Sequence, residues 1–237
     1  MAAPFFYIDS WSPDQQELHL DEDNSRHVIQ VLRMRPGEAL RLTDGKGALL
    51  DAIIVDNNKK KCLVAIKTGA AEPPRTNKVT IAISPVKNTA RFEWFLEKAT
   101  EIGVSNIIPL VCERTERQSI RTDRLRNILV SAMLQSQQTW LPNLAEPTPF
   151  ADLLAKTPAV PAFIAHLLEA PRPTDSLAAF TTAETANALI LIGPEGDFTP
   201  KEVDMALAAK FTPVSLGQNR LRTETAGIVA ATLLCIH

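Results

Sequence analysis

Leu189-Ile190-Leu191-Ile192-Gly193-Pro194-Glu195-Gly196-Asp197-Phe198 and, some twenty residues later, Ser215-Leu216-Gly217-Gln218-Asn219-Arg220-Leu221-Arg222-Thr223-Glu224-Thr225-Ala226 decide how this chain is read. Each stretch is an apolar strand running into a polar, glycine-containing loop that opens onto a helix. Two loops able to meet a ligand with bare backbone therefore lie at the ends of strands, the arrangement that builds a cofactor pocket. Neither loop holds the G-x-G-x-x-G of a dinucleotide fold or the Gly-Lys-Ser/Thr of a phosphate-cradling loop.

Working outward, strands and helices alternate from Lys78 onward. Residues 79–84 read as a strand, and Phe92, Phe95, Leu96, Ala99 and Ile102 share one helical face that ends at Gly103. Strands are expected at 107–112, 162–168, 189–192 and 214–216, and helices at 121–137, 200–210 and 223–236. This order predicts an α/β domain with a mostly parallel sheet covered on both faces.

Residues 1–72 differ. Asn24 or Ser25 is a candidate cap for a short helix over 26–33 that Pro36-Gly37 stops. Strand-like runs at 39–43, 48–55 and 62–67 are separated by Asp44-Gly45-Lys46-Gly47 and Asp56-Asn57-Asn58-Lys59, the turn chemistry of hairpins. A small β-barrel is the expectation. Residues 70–77, with Pro73-Pro74, read as a linker, giving domains over 1–72 and 75–237.

Composition narrows the class. The chain has 237 residues, 45% of them hydrophobic, enough for one large or two smaller cores. Its apolar runs are strand-sized and residues 1–8 carry no basic leader, so neither a membrane span nor a signal peptide is expected, and the cytosol is the expected compartment. Cys62, Cys112 and Cys235 are isolated and apolar-flanked, as buried reduced thiols are. The four histidines are scattered with no zinc-binding spacing, so metal-free chemistry is expected. The formal charge of −2 argues against indiscriminate nucleic-acid binding, but residues 75–126 hold ten Lys/Arg against six Asp/Glu. A local basic face for RNA phosphates is compatible with that.

The G-P-E-G string of Gly193 to Gly196 and the L-G-x-x-x-L-R-x-E-T-A string of Leu216 to Ala226 resemble the SPOUT class of S-adenosylmethionine-dependent RNA methyltransferases. Within that class the chain is similar to the bacterial family that methylates N3 of a uridine in 16S ribosomal RNA. The resemblance extends to His27, Val31, Leu32, Arg33 and Gly37, which match an H-x-x-x-V-L-R-x-x-x-G segment of a PUA-like RNA-binding barrel. Gln135, Ser136 and Pro142 match a further Q-S-x-x-x-x-x-P segment. Departures stand at Pro4, where relatives often carry a basic residue, and at Gln138 and Asn219, near or at positions where they often carry arginine.

The resemblance implies a PUA-like barrel followed by a trefoil-knotted SPOUT domain, although threaded chains are otherwise nearly absent from proteins. It also implies a homodimer with each active site at the subunit interface. S-adenosylmethionine would be held by Leu167, Gly193, Glu195, Gly196, Leu216, Gly217 and Leu221, with the leucines walling the adenine. Arg222 would stabilise charge developing on the uracil ring, since a guanidinium donates two parallel hydrogen bonds. Glu224 either accepts the ring proton or serves the helix end behind Thr223 as N-cap, and Glu195 either meets the ligand or braces its loop. Lys87, Arg91, Arg114 and Arg117 are candidate phosphate contacts, with solvated charge as the alternative for each. Trp140 either stacks on a splayed base or packs. Other readings are another RNA position, such as 2′-O-ribose methylation, and a non-catalytic ribosome-assembly protein.

Overall fold

The computed structural model describes residues 3–76, 78–116, 120–156, 159–167, 175–181 and 187–236. The chain forms two compact units, one from residues 1–74 with 133–141, the other from 75–132 with 142–237.

The first unit is a five-stranded sheet. β1 (Phe5–Tyr7), β2 (Glu17–His19), β3 (Ala39–Thr43), β4 (Ala48–Asp56) and β5 (Leu63–Ala71) take the spatial order β1-β3-β4-β5-β2. β1 runs parallel to β3; the other pairs are antiparallel. Along β4 every second side chain, Ala48, Leu50, Ala52 and Ile54, is buried. That period of two is the signature of a sheet with one face on the core. β5 continues to Ala71, past the run read from the sequence, and the three-residue β1 and β2 are too short to leave a periodic signal.

The first helix departs from expectation at both ends. α1 spans Glu22–Arg26, and its cap is Asp21, whose carboxylate accepts the Asn24 N–H at 2.7 Å. Asn24 instead uses its side-chain amide on the Tyr7 carbonyl, at 2.9 Å. Past Arg26 the backbone widens into a π-type turn over His27–Val31 that leaves Val31 and Leu32 exposed.

Residues 133–141 also belong to this unit, though they begin in the last turn of a helix, Thr122–Gln135, that starts in the other. Leu141 N–H donates to the Gly45 carbonyl and Gly47 N–H to the Thr139 carbonyl, each at 2.9 Å. A Cβ on Gly47 would lie 2.6 Å from the Trp140 ring, so the Asp44–Gly47 turn is a seat for that indole. Trp140 is packed here, the blander of its two readings.

The second unit is a parallel sheet. β6 (Thr80–Ile83), β7 (Asn106–Val111), β8 (Asn143–Leu144), β10 (Ala162–Ala165), β11 (Leu189–Ile192) and β12 (Thr212–Val214) follow the order β12-β10-β11-β6-β7-β8, and β9 (Thr148–Pro149) also pairs with β7. β11 sits mid-sheet with all four residues buried, which is why it reads as an unbroken apolar run.

Helices α2 (Thr89–Ile102), α3 (Thr122–Gln135), α4 (Phe150–Ala155), α5 (Pro200–Ala208) and α6 (Thr223–Cys235) complete the unit. Leu189 and Leu191 join Phe150, Leu153, Val203 and Ala206 of α4 and α5 in one core. Ile83 instead faces α6 at Gly227, where a Cβ would lie 2.8 Å from Ile83 and 2.6 Å from the Phe95 ring of α2, so the helices meet there only over bare backbone. α5 starts with Thr199 and Glu202 in a reciprocal capping box ahead of Pro200. No helix among the described residues is long and apolar enough to cross a membrane.

Candidate cofactor and substrate site

In a parallel sheet every strand delivers its following loop to the same edge, so the loops after β10, β11 and β12 converge. Between them lies a cavity of about 360 Å³, inside the range of small-molecule sites. Leu167, Gly193, Glu195, Leu216, Gly217, Leu221 and Arg222 all line it. So do Arg91, His166, Asp197, Asn219 and Arg220, of which Asp197, His166 and Arg220 were not anticipated as site residues.

The wall formed by residues 193–198 is pinned on several sides. A Cβ on Gly193 would come within 3.0 Å of the Phe198 ring and 3.3 Å of its backbone nitrogen, so any larger residue would press on this buried ring. The Thr223 hydroxyl donates to the Gly193 carbonyl at 3.1 Å, and Arg114 donates to the Gly196 carbonyl at 2.7 Å. Gly196 thus meets Arg114 and does not itself line the cavity. Asp197 adopts φ 61°, and its carboxylate accepts the N–H groups of Leu167 and Phe198, each at 2.8 Å.

The opposite wall, residues 215–222, is held at its root. Ser215 is bound on both sides of its peptide by residues 175–177, and its hydroxyl donates to the Gly217 carbonyl at 2.9 Å. Gly217 has φ 136°, a conformation that side chains resist, and a Cβ there would meet nothing within 4 Å. It is bare backbone facing open space, as a ligand approached by main-chain groups requires. Beyond it, the exposed Arg220 and Arg222 side chains pair with no described residue.

Arg91 and Glu224 occupy places the sequence did not assign. Arg91, on the first turn of α2, lies 3.7 Å from both Glu195 and Glu224 and lines the cavity. Glu224 stands behind it, its side chain 7% exposed, outside the cavity lining, with Oε2 buried and unpartnered among the described residues. Thr223 is not the cap: Arg222 holds that position without a side-chain bond, because the Thr223 hydroxyl is spent on Gly193. Glu224 remains a first-turn acid near the positive helix end.

Of the candidate phosphate contacts, Lys87 is largely exposed and lies 3.3 Å from Glu116, Arg114 serves Gly196, and Arg117 falls outside the described residues. His166 is buried against the cavity, and burial lowers its pKa, partly opposed by the negative charge of Asp197. No group of three or more His, Cys, Asp or Glu is placed to hold a metal ion among the described residues.

Known proteins share this layout. Residues 72–235 match the RNA methyltransferase domain family and residues 20–67 the RNA methyltransferase PUA domain family. A probable rRNA-methyltransferase from Porphyromonas gingivalis is 42% identical, with a TM-score of 0.89 and 98% of each chain covered. Ribosomal RNA small subunit methyltransferase E from Neisseria gonorrhoeae, solved bound to S-adenosyl methionine, is 29% identical, with a TM-score of 0.83 and 97% of this chain and 95% of that one covered. The protein of the same name from Synechocystis sp. is 32% identical over 86% of this chain and 68% of its own length.

Proposed function

This chain belongs to the RNA methyltransferase family, with a PUA-like unit ahead of its α/β unit, and from that premise we propose that it methylates N3 of a uridine in 16S ribosomal RNA, using S-adenosylmethionine. The observation that carries the reading is the asymmetry of the cavity: one wall is pinned and suited to holding a ligand, the other ends in arginines whose side chains pair with no described residue.

The cavity residues suit the cofactor. Leu167, Leu216 and Leu221 offer apolar surface for a flat purine, and the open backbone at Gly217 offers hydrogen-bonding groups beside them. When bound, S-adenosylmethionine supplies an activated methyl group and a positive charge. The chain's own tasks are to orient the uracil nitrogen in line with that methyl and to stabilise the anion left when N3 gives up its proton. Arg222 meets the second need, being exposed at the cavity and paired with no described residue. Glu224 acts through Arg91, which it and Glu195 flank; Glu195 braces its loop through the same guanidinium.

The reading extends to a homodimer. α6 buries Gly227, Ala230, Ala231 and Leu234 inward, while Ile228, Val229 and Leu233 stay half-buried and Ile236 is 63% exposed, more apolar surface than one layer uses. It extends also to threading of the loops after β11 and β12 into a knot, and to action in the cytosol where ribosomes are built.

The test is methylation of small subunits from cells lacking the gene, mapped by reverse transcription. A methyl at N3 removes the base's pairing donor, so extension stops one nucleotide before it. Loss of the stop without the gene and its return with purified protein and cofactor is the expected result. Read-through with a methyl recovered on ribose would assign the other chemistry, and a protein that binds no S-adenosylmethionine would be an assembly factor.

A further inference from the structure

Leu167 is the second residue past β10, after His166, and its N–H has left the sheet ladder, which ends with Ala165 opposite Ile192. A backbone donor at that point needs an acceptor. Asp197 supplies one from a different loop: Oδ2 takes the Leu167 N–H at 2.8 Å while Oδ1 takes the Phe198 N–H at 2.8 Å. An ionised carboxylate is acceptor-only, so two converging N–H groups suit it and suit few other side chains. The Asp197 N–H in turn closes a turn onto the Pro194 carbonyl at 2.9 Å.

The backbone at Asp197 is in the left-handed region, φ 61°, where glycine would sit more cheaply. An aspartate there is unfavourable as local backbone and favourable only through its side chain. Both residues of the longer bridge, Asp197 and Leu167, line the cavity, and the Leu167 side chain is 55% exposed at it. The carboxylate therefore sets the separation of two cavity walls.

We infer that Asp197 is a positioning residue for the cofactor, a latch that ties the loop after β10 to the loop after β11 and holds Leu167 over the ligand. The inference rests on the cofactor reading given above. Asp197 acts through the Leu167 backbone, so its loss is felt by any ligand sharing the adenosine portion, whether or not that ligand carries the transferable methyl and its charge.

The experiment measures S-adenosylmethionine and S-adenosylhomocysteine affinity by calorimetry for the full chain and for Asp197→Asn and Asp197→Gly, with unliganded thermal midpoints and amide exchange at Leu167. Asn retains one acceptor but opposes the second N–H with its own donor; Gly removes the latch and relieves the backbone. Expected is a graded loss in both ligands, a few-fold for Asn and on the order of tenfold for Gly, with little change in the midpoint of the Gly variant and faster Leu167 exchange. Three indistinguishable affinities would overturn the latch, as would a midpoint falling in parallel with affinity in both variants. Loss confined to S-adenosylmethionine would overturn it in favour of a purely electrostatic role. Should the unaltered chain bind neither ligand, the cofactor reading fails by itself, and the latch then stands or falls on whether Leu167 exchange differs between Asp197 and Gly.

Discussion

The two loops that wall the cavity look alike in sequence, each a strand end followed by glycine and charge, yet they are built on opposite terms. In residues 193–198 nearly every polar group is committed: Gly193 to Thr223, Gly196 to Arg114, Glu195 to Arg91, Asp197 to Leu167 and Phe198. In residues 215–222 the commitments stop near Gly217, and the side chains of the two arginines beyond it pair with no described residue. The difference separates holding from reacting. Groups satisfied in the resting protein cost little to keep in place, whereas a cation left without a partner is available to a charge that appears only during reaction.

The sharpest break of that comparison is Arg222→Ala. If this loop serves the reaction, turnover should fall about a hundredfold or more, on the order of 3 kcal/mol, while S-adenosylmethionine affinity stays within about twofold. Single-turnover methylation of small subunits with cofactor affinity measured alongside decides it. A near-normal rate would remove Arg222 from the chemistry, and equal losses in rate and affinity would make both loops holding loops.

The glycines come next. Gly193→Ala drives a methyl into the Phe198 ring, which is fully buried against Phe150 and has little room to yield. Urea denaturation should report a loss of about 1–3 kcal/mol. Gly217→Ala meets no atom but must hold φ 136°, so the loss there should be nearer 1 kcal/mol and fall on cofactor affinity, because the loop can relax into solvent. Similar denaturation midpoints for the two variants would erase the distinction between the loops.

A smaller effect concerns RNA. Arg114→Ala should lower the salt dependence of ribosomal RNA binding by about one unit if the residue meets a phosphate, and Lys87→Ala by less, because its ammonium is shared with Glu116. Arg91→Ala should not, because that guanidinium already faces Glu195 and Glu224, and its removal leaves two carboxylates uncompensated.

How far sequence carried this picture follows from which interactions are periodic. The α/β alternation and the strand at 39–43 were legible because burial repeats along each element, the strand at 189–192 because it is one unbroken apolar run, and both cavity loops because glycine and charge follow a strand end. The cap of α1 is Asp21 and neither Asn24 nor Ser25, because Asp21 is equally apt chemically and tertiary contacts claim the other two side chains, Asn24 for the Tyr7 carbonyl and Ser25 for the Leu20 carbonyl and the Cys62 N–H. The attachment of residues 133–141 to the first unit was invisible, since it depends on one indole fitting one glycine far away in sequence. Asp197 and His166 were missed for a related reason. Their significance lies in a loop-to-loop bridge and in burial, and neither belongs to any contiguous string. Glu224 was legible as a site residue, but its place behind Arg91 depends on how α2 meets α6.

The least effect expected is in pH, and it tests the pinned wall from its other side. His166 is 5% exposed, and its pKa lies below the ordinary 6.5 chiefly because burial disfavours the imidazolium, with Asp197 pulling the other way. A group with a lowered folded pKa takes up its proton more readily when unfolded, so its contribution to stability is complete above about pH 6.5 and is lost as pH falls towards the folded value. The slope cannot exceed about 1.4 kcal/mol per pH unit, and between pH 7 and 6 it should be well below that. The thermal midpoint of the unliganded protein should therefore decline gently from pH 7 to 5.5, and His166→Gln should flatten the decline. Asp197→Asn removes the charge that favours the imidazolium, so it should lower the folded pKa further and carry the decline to more acidic pH. A decline unchanged in both variants would assign the acid sensitivity to groups outside this wall.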